Sequence, residues 1–219
     1  MWNDRPVIIV GTGPSLAGFD FEKLRGLGWV LACKESMFSL PFADAIFGLD
    51  IPWMRARHDY LAERAKTCEV YLSAPDQRLH LFRNVPGAIY LRRLRSSNTF
   101  TMDPEAIECG ANSGFGAINL AIIKRARQIF LFGFDYSGGA KVAEHYNQER
   151  YDERQAWGNG VTNYFPRWAQ HFDETVPQLK RLRVEIVNAS LDSNITAYER
   201  VDHAQAFERL LAISHEVNQ

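Results

Sequence analysis

The chemistry in this chain begins with backbone amides. The apolar run Val7, Ile8, Ile9, Val10 breaks into Gly11-Thr12-Gly13-Pro14-Ser15. A short buried strand feeding two glycines brings bare N–H groups where an anion approaches without meeting a Cβ, and Ser15 stands where it would cap a following helix. The pattern holds a nucleotide phosphate; it also serves as an ordinary tight turn, because it has neither the third glycine of a dinucleotide fingerprint nor the Gly-Lys-Ser/Thr of a P-loop. Asn112-Ser113-Gly114 offers a second cradle at a helix start, with simple N-capping by Ser113 as the competing reading.

Side chains of the right chemistry follow other apolar runs. Lys34, Glu35 and Ser36 come after the second, Asp50 after the third, and Asp135 and Tyr136 after Ile129-Phe130-Leu131-Phe132. Asp135 either orients a hydroxyl or closes an Asx turn ahead of Gly138. His145, in Glu144-His145-Tyr146, sits in a polar segment where an imidazole titrating near neutrality takes a proton from an attacking hydroxyl; a solvent-facing loop histidine is the alternative. His58, His80, His171, His203 and His215 read as residues of helices or connectors. Metal-ligand spacings are absent, and the three cysteines form no Cys-x-x-Cys pair, so neither a bound metal nor a disulfide framework is expected.

Such residues need a scaffold that gathers strand ends. Short β-rich runs alternating with helical stretches predict an α/β fold: a single Rossmann-like domain over 1–219, its mostly parallel sheet covered by helices on both faces. Strands are expected at 6–10, 29–33, 44–48, 69–72, 88–91, 128–132 and 182–187, and helices at 16–26, 53–66, 114–126 and 164–176. In the 114–126 helix, Phe115, Ile118 and Ile122 form the stripe and Asn119 falls off it. Residues 137–163, opened by Ser137-Gly138-Gly139 and closed by Gly158-Asn159-Gly160, read as a lid or substrate-binding insertion.

Composition narrows the class. The 219 residues are 46% hydrophobic, enough for one full core, and 25 basic against 26 acidic side chains give no field for a polyanion. The clusters Arg92, Arg93, Arg95; Lys124, Arg125, Arg127; and Lys180, Arg181, Arg183 read as solvated helix ends and strand edges rather than a nucleic-acid groove. With no charged leader ahead of the first strand, no run approaching ~20 apolar residues and an odd cysteine count, a soluble protein of the reducing cytoplasm is expected.

Taken in order, Val-Ile-Ile-Val-Gly-Thr-Gly-Pro-Ser at 7–15, Cys33-Lys34-Glu35, Asn112-Ser113-Gly114, Gly-Phe-Asp-Tyr at 133–136 and His145-Tyr146 resemble the bacterial lipooligosaccharide sialyltransferases, glycosyltransferase family 42. The chain also resembles a wider group, with archaeal pterin pyrophosphokinases, sharing the Gly-x-Gly-Pro-Ser start. The resemblance implies a nucleotide held between the 11–15 turn and Ser113-Gly114, no metal in the sialyltransferase case, and His145 in the place of the catalytic base. It also marks departures. Lys34 falls where the family has an asparagine contacting the donor, Asp50 lies near another, Ser137 replaces a tyrosine with Tyr136 one place earlier, and the spacing from Asp135 to His145 is shorter.

The expected function is therefore a metal-independent, single-displacement glycosyltransferase using a nucleotide-sugar donor, with CMP-sugars favoured, and a glycan or other hydroxyl acceptor. In it Gly11, Thr12, Gly13, Pro14, Ser15, Lys34, Asp50, Asn112, Ser113, Gly114 and Asp135 bind the donor, His145 is the base, and Tyr136 or Tyr146 hydrogen-bonds the leaving phosphate. Two alternatives stand beside it: an ATP- and Mg²⁺-dependent pyrophosphokinase of the hydroxymethylpterin type, with Asp50 and Asp135 as its carboxylates, and a non-catalytic nucleotide-binding protein.

Overall fold

The computed structural model describes residues 1–74, 85–94, 99–110, 112–137 and 164–217. In β1 (Val7–Val10) every residue is buried, and successive side chains enter opposite cores: Val7 and Ile9 one layer, Ile8 and Val10 the other. A strand with no polar alternation belongs in the centre of a parallel sheet covered on both faces. There it lies, paired in parallel with β2 (Trp29–Cys33) on one side and β7 (Gln128–Phe132) on the other.

From β2 the sheet continues outward through β3 (Ala45–Gly48), β4 (Glu69–Ala74), β5 (Ile89–Arg93) and β6 (Ala106–Ile107). The chain then crosses back to β7, β8 (Glu185–Asn188) and β9 (Glu199–Arg200), giving nine parallel strands in the order β6-β5-β4-β3-β2-β1-β7-β8-β9. This is an α/β Rossmann-like sheet. Its order reverses at β1 and β7, and in such sheets ligands bind beyond the carboxyl ends of the strands at that reversal.

The return crossover runs through α3 (Ser113–Ile123), whose residues from Gly114 to Ile122 are all buried. It is apolar all round, not striped, because it lies under α4 (Phe165–Asp173) and α5 (Val176–Leu182) as well as on the sheet. Asn119 is the exception, and it is fully satisfied. Its Oδ1 accepts the amides of Thr101 (3.2 Å) and Glu108 (2.9 Å) while its Nδ2 donates to Thr101 O (2.8 Å), tying the approach to β6 onto the helix. The opposite face carries α1 (Ile51–Ala56), α2 (His58–Arg64) and α6 (His203–Val217).

Several expected boundaries change for local reasons. Instead of a helix at 16–26 there are two 3-10 turns, Pro14–Leu16 and Phe21–Leu24, because Gly18 takes φ +72° and ends the first. The 53–66 helix divides at Arg57, whose side chain reaches Glu35. The 164–176 helix stops at Asp173; Pro177 has no amide to continue its ladder, and a new helix starts at Val176 and takes in Leu182, leaving the last long strand at Glu185–Asn188. Asn112, not Ser113, caps α3. The C-terminal helix, missed in the sequence, announces itself by a capping box in which Gln205 N donates to Asp202 Oδ1 and Asp202 N to Gln205 Oε1. Among the described residues no helix is long and apolar enough to cross a membrane.

Two outcomes check this description. Asn119→Ala strands buried amides and should cost about 2–4 kcal/mol in urea unfolding. Burial raises the carboxyl of Glu108 above its ordinary 4.5. The unfolded chain ionises first as pH rises, so Glu108 removes stability between 4.5 and its higher folded value. Glu108→Gln should then raise the melting temperature at pH 7–8 and leave it unchanged near pH 4.

Candidate functional site

At the reversal point the 11–15 turn is laced to the loop after β7. Gly11 N donates to Phe132 O (2.8 Å), Gly13 N to Gly133 O (2.9 Å) and Ser15 N to Asp135 Oδ2 (2.9 Å). A Cβ on Gly11 would stand 2.7 Å from Gly133 O, and one on Gly13 only 2.1 Å from Asp135 Oδ2. The two glycines are thus required by loop-to-loop packing. This corrects the expectation that these amides face an anion, since three of the five positions spend theirs on protein and Pro14 has none. Ser15 caps no α-helix; its Oγ is buried without a hydrogen-bond partner among the described residues.

Asp135 is the centre of that lacing. It is buried at 2% exposure, and besides Ser15 N it accepts the Ser190 hydroxyl on Oδ1, while its backbone oxygen takes Asn194 N (2.8 Å). The hydroxyl it orients belongs to the protein. Electrostatically it faces His203, which lies against Phe132 and Phe19 and is held below its usual value by burial.

The open end of the site is the N-terminus of α3. Asn112 Oδ1 accepts both Phe115 N (2.7 Å) and the Tyr136 hydroxyl (2.7 Å), and its Nδ2 donates to Gly110 O (3.2 Å). The first-turn amides of Ser113 and Gly114 donate to no acceptor among the described residues, which leaves two donors at the helix end beside the Asn112 cap. Tyr136 closes over it: a Cβ on Gly114 would meet its hydroxyl at 2.5 Å. Burial holds that phenol protonated, well above the usual range. His171, read as a connector residue, reaches Gly110 O at 2.9 Å and steadies the same loop.

Next along the edge is an ion pair. Lys34 Nζ lies 2.6 Å from Asp50 Oδ2, with both side chains about four-fifths buried (19% and 21% exposed). Beneath it Glu35 accepts Trp53 Nε1 (2.9 Å) and Arg57 Nε (3.1 Å). Among the described residues four non-glycine residues have positive φ. Arg125 and Arg183 follow helix ends, whereas Lys34 (+56°) and Tyr136 (+47°) both follow strand ends at the site, where a left-handed residue costs about 1–2 kcal/mol.

Arg93 completes the row and corrects its reading as a solvated strand-edge cation. Leu91, two residues earlier, faces the α3 core; Arg93 therefore turns inward as well, donating through Nη2 to Leu49 O and to Ser73 O (2.9 Å). Its neighbour Arg92 keeps the surface role, pairing with Asp103 at 3.0 Å. Cys33 and Cys109, on the same side, are pushed up to about 12 by burial, so neither supplies a thiolate.

The pyrophosphokinase expectation fits poorly. Asp50 is spent on Lys34 and Asp135 on Ser15 and Ser190, and the two stand three strands apart, roughly 14 Å, too far to share one Mg²⁺. Of the expected lid only Ser137 is described; His145 and Tyr146 lie outside the described residues.

The sialyltransferase CstII from Campylobacter jejuni in complex with the substrate analogue CMP-3FNeuAc matches 92% of this chain and 86% of its own, at 13% identity and TM-score 0.50. The same enzyme with cytidine-5'-monophosphate matches 96% and 99%, at 14% identity and TM-score 0.50. This chain shares their fold. No protein-family model matches the sequence, and no functionally curated protein matches it significantly.

Gly13→Ala tests the lacing. Driving a methyl into the Asp135 carboxylate should cost at least 3 kcal/mol, read as a loss in chemical-denaturation midpoint, whereas Gly18→Ala, in open space, should lose only the cost of its positive φ, about 1 kcal/mol.

Proposed function

We propose that this protein is a glycosyltransferase-like enzyme that uses a nucleotide-sugar donor of the CMP-sugar class. The observation that carries the reading is the N-terminus of α3 at the sheet's reversal point, where the Ser113 and Gly114 amides, beside the Asn112 cap and Tyr136, donate to no acceptor among the described residues. A helix end of this kind favours a phosphate. The shared fold with an enzyme whose structures hold CMP and CMP-3FNeuAc supports cytidine as the base.

In this reading the donor phosphate rests on Ser113 and Gly114. The shape of the 11–15 turn, rather than its amides, bounds the nucleotide. Tyr136 acts by positioning, since its hydroxyl is given to Asn112. The acceptor hydroxyl attacks the anomeric carbon, forming the new C–O bond as the bond to the phosphate oxygen breaks and CMP leaves with the electron pair. His145 takes the acceptor proton, and Tyr146 stands beside it to hydrogen-bond the leaving phosphate. Charge developing on that phosphate is met by fixed dipoles, so the reaction needs no metal. The 137–163 segment is the proposed lid.

The test is a thermal-shift screen with CMP, UDP, GDP, ADP, ATP and their sugar conjugates, with and without Mg²⁺. CMP at a hundred times its Kd should add about 2.7 kcal/mol without metal. A shift confined to ATP with Mg²⁺ would refute the reading. His145→Ala should keep the CMP shift and lower transfer from a CMP-sugar by about 10²–10⁴.

A further inference from the structure

Two basic clusters that are separate in the sequence meet at the base of the molecule. α3 and α5 both end beside the amino ends of β7 and β8, where Arg127 Nη1 donates to Leu182 O (2.7 Å) and Glu185 N to Arg127 O (2.9 Å). Arg125, Arg127, Lys180, Arg181 and Arg183 are all exposed there, and none has a carboxylate partner among the described residues. Lys124 differs, pairing with Glu69 at 3.0 Å and lying against the rings of Trp2 and Tyr71. Arg125 (φ +72°) and Arg183 (φ +54°) occupy the left-handed turns that end the two helices, positions where glycine or asparagine is usual.

Helix ends attract cations, so that ordinary effect is weighed first. Each helix presents about half a negative charge at its carboxyl end, and the two ends together balance about one of the five cations. Glu185, the single acidic residue within 124–128 and 180–185, balances another. The rest is a local excess of positive charge in a chain whose 25 basic and 26 acidic side chains nearly cancel.

We propose that this basal patch is a docking surface for an anionic lipid bilayer. A fluid layer of acidic headgroups gathers under cations that the fold leaves unpaired and demands no fixed spacing of them. Trp2 N donates to Lys124 O (2.7 Å), which sets Met1, 84% exposed, at the border of the patch as an apolar group for the headgroup layer. A nucleic-acid surface uses rings to stack on bases or an element that enters a groove. Residues 124–128 and 180–185 contain no aromatic side chain, and their cations stand on two helix-to-strand connections. The patch and the candidate site lie at opposite ends of α3, roughly 16 Å apart for its 11 residues, so docking leaves the site open. The surface is independent of the nucleotide-sugar reading.

Vesicle co-sedimentation of the full chain is the test. Phosphatidylcholine vesicles containing phosphatidylglycerol should bind the wild type at low salt, and vesicles of phosphatidylcholine alone should bind it far more weakly. In 1 M salt, where the screening length falls to about 3 Å, binding should be lost. Arg125→Gln, Lys180→Gln and Arg181→Gln should each lower the partition coefficient about fivefold. Their melting temperatures should match the wild type, because none of the three side chains makes a hydrogen bond or ion pair among the described residues. Lys23→Gln, which removes an exposed cation on the opposite face, should leave partitioning unchanged. Equal partitioning of the wild type onto the two kinds of vesicle, or a loss in Lys23→Gln as large as in the patch variants, would overturn the surface. A short DNA duplex is titrated in parallel by fluorescence anisotropy; tight duplex binding that the three patch substitutions abolish would assign the patch to nucleic acid and overturn the lipid proposal.

Discussion

Everything at this site depends on one buried carboxylate. Asp135 joins the turn after β1 to the loop after β7 by accepting Ser15 N, and joins both to the segment after β8 through Ser190. Three consecutive strands of the sheet are thereby stitched together at their carboxyl ends. A buried charge is tolerable only when its lone pairs are filled, and here they are filled by a backbone amide and a hydroxyl rather than by a cation. The glycines at 11 and 13 follow from this: the carboxylate and Gly133 O occupy the space their side chains would take.

The locked strands form one wall, and a row of charged and polar groups extends from it along the sheet edge through Lys34, Asp50, Ser73 and Arg93. The left-handed backbones at Lys34 and Tyr136 fix where these two side chains stand, at some expense in stability.

Much of the fold was legible because it rests on local signals. The unbroken apolar runs of β1, β2 and β7 announce central parallel strands, and the order of elements announces the layers. What sequence could not show was where amides and side chains are spent. Gly11 and Gly13 look the same whether they admit a phosphate or a neighbouring loop; only the position of Asp135, 120 residues away from Ser15, decides. Ser113 looks a better cap than Asn112 until Tyr136 is seen sharing the Asn112 oxygen. Arg93 sits between Arg92 and Arg95 in a basic trio, and only its parity with Leu91 turns it inward. β6 and β9, two residues each, are too short to carry a periodic pattern.

Those two short strands have a further consequence for how the protein behaves in company. Among the described residues the open sheet has nine strands and two unpaired borders, on which another chain can be templated into a growing ladder. On one border β6 offers only Ala106 and Ile107, both fully buried. On the other, β9 offers Glu199 and Arg200, exposed and charged, with Glu199 gripped at 2.6 Å by Arg209 from α6. One border is buried and the other is brief and charged, and both traits blunt an edge against strand-by-strand aggregation.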